Sequence, residues 1–301
     1  MQESCGCQAA PRRHCDLCYA EGRVFLACSL ACLNRHQATH GSLASAAERA
    51  KTLLTRMNAE HPDSSGSFAG HRARLMDWVS RAGAGDRAEP GRTVLVLGVG
   101  NASDLDLPLL ASRFDAVHLV DLDGAALERT RARQTAGVAD KLVLHGDVDL
   151  SGLLDRLDSW GDAFPLPQEL GPVAVAAARA LVARLGRHDV VLSTCVLSQL
   201  GLPFRRSWVA PASTWANLTA VLTAVHLATL AGCTGRVGLL AFDVQSQPDG
   251  SVTPHPDALL AQLRSPGLAS LITEASPWGE PWLWNLGDVR QQVHAIQVKR
   301  A

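Results

Sequence analysis

Short apolar runs recur through the last two-thirds of this 301-residue chain, and helical stripes fill the stretch just before them. Val94 to Leu97 forms the first run. FDAVHLVDLDG carries a second that ends at Asp121, KLVLHGDVDL a third that ends at His145, and HDVVLSTC a fourth that ends at Ser193, Thr194 and Cys195. GRVGLLAFDVQSQ and VHAIQVKR supply two more. Runs of this length, closed by glycine or aspartate, predict strands rather than helices. Strands that lead into turns and helices in succession predict an α/β domain over 91–301.

Upstream the period changes. Apolar residues at Ala46, Ala47, Ala50, Leu53, Leu54 and Met57 predict a helix, and HPDSSGS, with Pro62 and Gly66, ends it. A second helix is expected near Phe68 to Val79, with Leu75 and Met76 inward and His71, Arg72 and Arg74 outward. AGAGDRAEPG then reads as a linker. These helices, 45–90, either cover the open edge of the following sheet or act as a plain spacer. Residues 1–44 form a separate small module.

Composition narrows the function classes. Hydrophobic residues make up 47% and charged residues 19%, with a formal net charge of -1, an ordinary globular balance. A protein that holds nucleic acid through phosphates shows a basic surplus, so an RNA acceptor rests on Arg72, Arg74, Arg205 and Arg206 alone. MQESCGCQAA has no apolar leader segment, and no later stretch approaches the roughly 20 apolar residues of a membrane span. The expectation is a cytoplasmic protein with no membrane partner. In that compartment clustered cysteines point to metal rather than to disulfides.

Six of the eight cysteines lie in the first 32 residues. The candidate ligands fall into pairs: Cys5/Cys7, Cys15/Cys18, Cys28/Cys32 and His36/His40. Thiolate and imidazole suit zinc, and four such ligands close a tetrahedral structural site, so eight imply two ions. Cys28, Cys32, His36 and His40 recur every fourth residue; an unbroken helix through them would be ~18 Å long, too long for one ion with bonds of ~2.0–2.3 Å. An interleaved arrangement gives Cys5, Cys7, Cys28 and Cys32 to one zinc and Cys15, Cys18, His36 and His40 to the other. The alternative is a set of free or redox-active thiols. This stretch resembles the MYND-like zinc fingers, in particular the C6H2 finger at the N-terminus of eukaryotic type 1 methionine aminopeptidases. It departs from them in the tight Cys5-x-Cys7 pair and in Ala44, where a final ligand would stand, so His36 has to substitute. The resemblance implies recruitment of a partner, and closed sites leave no position for catalysis.

In the large domain, Val94 to Leu97 runs into Gly98-x-Gly100, a turn that lets backbone approach a cofactor. Ser103 replaces the third glycine of a dinucleotide fingerprint, which disfavours NAD-type cofactors. Asp121, about twenty residues on, stands where a carboxylate accepts ribose hydroxyls. Leu122 is placed to lie against adenine, Asp123 to cap a helix and Asp147 to meet the exocyclic amine. Together these residues resemble the class I S-adenosylmethionine-dependent methyltransferases, across roughly Arg92 to Ala301. The resemblance implies a Rossmann-like seven-stranded sheet with an antiparallel last strand, and a cofactor site lined by Gly98, Gly100, Asp121, Leu122, Asp147, Ser193 and Thr194. Val96 stands where the family often has an acid, which leaves Asp104 or Asp106 for the cofactor's ammonium group.

Methyl transfer from a sulfonium needs alignment more than acid–base chemistry. LSQLGLPFRRSWVAPAST reads as a loop beside the cofactor, with Gln199, Arg205 and Trp208 as a substrate wall; Asp243 is the candidate proton acceptor or amine binder. Cys195 reads as a core thiol and His226 as a satisfied core histidine. His255 is exposed with no visible partner. Trp278, Trp282 and Trp284 form either an aromatic wall or packing for the sheet edge, and GDAFPLPQELGP an insertion that shapes a lid. The expected function is a methyltransferase acting on a protein or peptide recruited by the zinc module. RNA or small-molecule acceptors, or a noncatalytic adaptor, are the alternatives.

Overall fold

A computed structural model of the chain describes residues 2–7, 9, 13–15, 18, 23–38, 45–60, 66–82, 91–157, 159–160, 165, 167–207, 212–244, 255–286 and 289–300. It opens with a three-stranded sheet: β1 (Gln2–Ser4) runs parallel to β3 (Val24–Ala27), and β2 (Arg13–His14) lies antiparallel on the other edge of β3. Helix α1 (Leu30–Ala38) packs on β3. Two helices then lead to the large domain, α2 (Ala46–Glu60) and α3 (Ala69–Ala82).

The large domain continues with β4 (Thr93–Leu97), α4 (Leu107–Arg113), β5 (Ala116–Val120), α5 (Gly124–Ala132), α6 (Ala136–Ala139) and β6 (Leu142–His145). A 3-10 turn at Leu154–Arg156 precedes α7 (Pro167–Leu185) and β7 (His188–Thr194). Then follow α8 (Leu197–Leu200), α9 (Leu202–Ser207), α10 (Ala212–Cys233), β8 (Thr234–Val244), α11 (Pro256–Leu263) and α12 (Pro266–Ala269). The chain ends with β9 (Glu274–Pro277), β10 (Trp282–Leu286) and β11 (Val289–Lys299).

The sheet order is β10-β11-β8-β7-β4-β5-β6, with β9 also on β11. Strands β4 to β8 pair in parallel, and β11 enters antiparallel to β8. This is an α/β Rossmann-like mixed sheet. The expected seven strands become eight because β9 and β10 share the edge of β11 that β8 leaves open: Pro277 pairs with Ile296 and Trp282 with Val293. Gly279, with φ +64, and Pro281 lie between them and interrupt the edge.

Alternation along β4 divides two cores. Leu95 and Leu97 join Val120 and Val191 against α7 and α10, whereas Val94 and Val96 join Val117 and Leu192 against α3 and α4. Burial on both faces is why these strands read as continuous apolar runs. Val96, at the position an acid often holds in the resembling family, is thus a core residue with no exposure.

Three expectations are corrected here. His71 faces inward, not outward: Trp282 donates from Nε1 to its Nδ1 at 3.0 Å, and Trp284 stacks on it at 4.5 Å between ring centroids. Its helical phase with Leu75 and Val79 puts it on the buried stripe. The tryptophans therefore pack the sheet edge against α3, and Trp278 packs partly buried beside them. The PQELGP end of the supposed insertion is the first turn of α7, and residues 161–164 lie outside the described residues. Finally, one helix among the described residues is long and apolar enough to cross a membrane, Ser213–Cys233 of α10 with mean hydropathy 1.4. It packs against α7, β7 and β8 inside the domain.

Burial pushes His71 and His226 down from 6.5 to about 4. The unfolded chain takes up these protons below about pH 6.5 and the folded chain holds out until about 4. Stability is therefore full above 6.5 and is lost as pH falls through that window. Urea midpoints measured from pH 7.5 to 4.5 should fall steeply below 6.5. The slope should lessen in His71→Leu, measured against that variant's own pH 7.5 value; an unchanged slope would rule out His71 as a contributor.

Candidate functional site

The carboxyl ends of β4, β5, β6 and β7 meet at one rim, as open α/β sheets dictate for their ligands. After β4 the chain turns at Gly98, whose φ is +78 and whose missing Cβ would stand 2.7 Å from Val196. A side chain is excluded there twice over, by backbone strain and by contact. Gly98 N–H donates to Val120 O at 2.9 Å, and Thr194 Oγ1 donates to Gly98 O at 3.2 Å, so β5 and β7 hold the turn from both sides.

Asp121 ties this turn to the next. Its Oδ2 accepts from Gly100 N–H at 2.7 Å and its Oδ1 from Asp123 N–H at 2.8 Å. Burial raises its pKa while those amides lower it. Each oxygen keeps acceptor capacity toward a bound hydroxyl. Asp123, fully buried, caps α5 by accepting from Ala126 N–H at 3.0 Å, the expected role. At the end of β6, Asp147 has φ +56 and its side chain is 64% exposed. Ala102, Asp147 and Cys195 are the non-glycine residues with left-handed backbone among the described residues. All three flank this rim, and strain of this kind gathers at functional sites.

Asp104 and Asp106 separate in role. Asp106 caps α4 through Leu109 N–H at 2.9 Å. Asp104 is buried, and desolvation lifts it to about 6 against the opposing pull of a hydrogen bond from Thr194 and the charge of Arg72. It is a buried carboxyl group beside the glycine turn, held by Thr194 and Arg72.

Sequence reasoning missed the cover. Helix α2 lies across the rim: Lys51 ion-pairs with Asp147, Asn58 Nδ2 donates to Asp123 Oδ2 at 2.9 Å, and Asn101 Nδ2 donates to Asn58 O at 2.7 Å. The expectation for 45–90 is a cover on the open edge of the sheet or a plain spacer; α2 lies on the strand-end rim instead. Between α2 and the strand ends remains a cavity of about 60 Å³, lined by Leu54, Leu122, Val148 and Gln199 among others. Ligand pockets usually measure ~300–1,000 Å³, so α2 fills most of the cradle. An apolar stripe announces α2 as a helix, but nothing in the sequence tells which rim it crosses.

Several predicted residues turn elsewhere. Ser193 points away from the cradle, because successive strand residues alternate faces; its hydroxyl meets His226 Nε2 at 2.8 Å in the α10 core. The segment read as a loop is two short helices, α8 and α9. Gln199 stays at the cavity, but the guanidinium of Arg205 sits over the Trp215 ring at 5.8 Å. Asp243 is buried behind α8 and accepts from Ser198 Oγ at 2.9 Å. His255 caps α11, accepting from Asp257 N–H at 3.4 Å. Cys195 is a buried thiol whose pKa burial raises. Trp208 lies outside the described residues.

The N-terminal module gathers its ligands into two groups. The sulfurs of Cys5, Cys7, Cys28 and Cys32 lie within 4.8 Å of one another, and so do the ligand atoms of Cys15, Cys18 and His36. Cys7 and Cys32 sulfurs stand 3.7 Å apart and Cys28 and Cys32 3.4 Å. Four sulfurs around one zinc at ~2.3 Å are separated by ~3.8 Å, so the first group fits such an ion. Crowding by neighbouring thiols pushes Cys7 up to about 12, while backbone N–H groups draw Cys5 down to about 6. A cation resolves that conflict. Arg35 Nη2 donates to Cys32 Sγ at 3.0 Å and offsets thiolate charge. In the second group Cys18 Sγ lies 3.0 Å from His36 Nε2, and the His36 ring stacks on Phe25. His40, its expected fourth member, lies outside the described residues.

No family model matches the chain, and no curated protein does. Solved structures do. The magnesium protoporphyrin IX methyltransferase of Synechocystis PCC 6803, with bound SAM, is 15% identical over 77% of this chain and 80% of its own, with a TM-score of 0.40. The methyltransferase domain of bacterial CtHen1-CN is 10% identical over 76% and 96%, with a TM-score of 0.42. The glycopeptide N-methyltransferase MtfA is 13% identical over 77% and 90%, with a TM-score of 0.40. At these values the functional reading stands on the rim itself.

Proposed function

We infer that the chain is an S-adenosylmethionine-dependent methyltransferase whose acceptor is a protein or peptide, recruited with help from a two-zinc module. The observation that carries the first half is Asp121, whose carboxylate joins the amide of Gly100 to the turn after β5. That arrangement supports an adenosyl ligand: glycine-turn amides at one side, a half-buried carboxylate for ribose hydroxyls, and Asp147 at the following strand end. The second half is supported by contact of β2, from the metal module, with α9 behind the Gln199 wall. A partner held on the module would lie beside the cradle.

When bound, the cofactor supplies an activated methyl group on a sulfonium. This chain's residues would do the rest by holding and excluding. Asp121 would accept from the ribose hydroxyls, Leu122 and Leu54 would line the adenine's place, and Asp147, once freed from Lys51, would accept from the exocyclic amine. Asp104 takes the ammonium end, which draws its pKa back down. Gln199, at the cavity, would position the acceptor, and Asp243 would hold Ser198 of α8 behind it. Helix α2 has to swing outward to admit the cofactor and can then close water out, as lids do.

Titration calorimetry with S-adenosylmethionine should give binding in the micromolar range, and Asp121→Asn should weaken it at least tenfold; no binding at millimolar cofactor would instead favour a noncatalytic adaptor. Lys51→Ala releases α2 from Asp147 and should speed cofactor association severalfold in stopped-flow traces. An unchanged association rate would mean that α2 does not gate the site. Elemental analysis of the purified chain should return two zinc ions. Cys28→Ser should lose one and keep the other, because the ligands are partitioned rather than shared; loss of both, or of neither, contradicts that partition.

A further inference from the structure

The other rim of the sheet carries a second site. Strands β4, β7 and β8 begin there and the antiparallel β11 ends there. A cleft of about 500 Å³ opens between them and α3. Five cationic side chains line it: Arg81, Arg92, Arg236, Lys299 and Arg300. No carboxylate lines it among the described residues. In a chain of 28 basic and 29 acidic residues, such convergence is a local property of the fold.

The polar groups offered to this cleft are donors. Arg81 and Lys299 are ion-paired outside it, with Asp77 at 2.8 Å and Glu274 at 2.9 Å. Asp115 and Asp189 lie nearby but accept from the backbone amides of Gly91, Arg92 and Thr93. Arg236 has no carboxylate partner among the described residues, and Arg300 spends one nitrogen on Thr234 O at 3.3 Å. Gln297 accepts from Trp78 Nε1 through its oxygen at 3.0 Å, which leaves its amide nitrogen, a donor. Arg92 is buried and rests over the Phe114 ring at 5.3 Å, so its position is set before any ligand arrives. A concave wall carrying several guanidinium groups and no carboxylate among the described residues matches the oxygens of phosphate.

We propose that this cleft binds a short polyphosphate chain, free or as part of a nucleotide. The cofactor rim lies at the far ends of the same strands, and β4 alone spans ~17 Å. A ligand here cannot receive the methyl group; it anchors or regulates. The proposal does not depend on the methyltransferase reading.

Calorimetry on the full chain at about 150 mM salt, where exposed charges are screened beyond ~8 Å, tests it with three probes. Inorganic tripolyphosphate, which lacks adenosine and so cannot report on the cofactor cradle, should bind. Arg236→Glu/Arg300→Glu should weaken it at least tenfold, and the single Arg236→Ala at least threefold, which covers the case of a double variant that misfolds. Arg131→Glu, on exposed α5, should stay within twofold. ATP tighter than tripolyphosphate, with the gain lost in Arg236→Ala, assigns the site to nucleotides, and equal affinity assigns it to the chain of phosphates; both support it. Absence of tripolyphosphate binding, or equal binding by the Arg236 variants, overturns it. So does a 12-nucleotide single-stranded RNA that binds while tripolyphosphate fails to displace it.

Discussion

One half-buried carboxylate holds the strand-end rim together. Asp121 stands at the end of β5 and receives an amide from the turn after β4 and another from the turn after itself. Without it, the glycine turn and the start of α5 would be separate loops with unpaired buried amides, each costing roughly 1–3 kcal/mol. Burying a charge is unfavourable, and the amides offset it. The rim depends on that balance: Thr194 fixes the same turn from β7, and Asn58 of α2 reaches Asp123, the residue whose amide Asp121 holds.

Much of this was legible from residue order. Every strand whose two faces are buried showed itself as an apolar run, and the turns after them carried the glycines and aspartates that the rim uses. The short strands β1 to β3 escaped, and in the large sheet so did β9 and β10, which sit at an edge, carry prolines and tryptophans, and derive their pairing from β11 rather than from their own pattern. His71 escaped because a polar letter concealed a buried phase; its spacing to Leu75, Trp78 and Val79 was the available signal. Ser193 and Thr194 are adjacent letters, and strand parity alone sends one to the core and the other to the rim. Position across space is what sequence does not carry: that Lys51 reaches Asp147, 96 residues on, follows from where α2 is laid.

The two rims of the sheet divide the chemistry by sign. At the carboxyl ends, Asp104, Asp121 and Asp147 gather, with Lys51 on Asp147 and Arg72 beside Asp104; at the amino ends, guanidinium groups gather with carboxylates turned aside. A near-neutral total charge conceals this polarity, which is why composition argued against anionic ligands. The cysteine-rich N-terminal module belongs to the first rim through its contact with α9.

Helix α3 is anchored to strands made more than two hundred residues after it. Trp78 bonds to Gln297, 219 residues later, and His71 to Trp282, 211 residues later. As the ribosome delivers the chain, α3 emerges early with Leu75, Trp78 and Val79 uncovered, and it stays so until the final hairpin arrives. Closure of long loops slows such folding, and an apolar stripe left waiting invites association with other chains. The protein's yield in a cell therefore hangs on the speed with which β10 and β11 find a helix translated long before them.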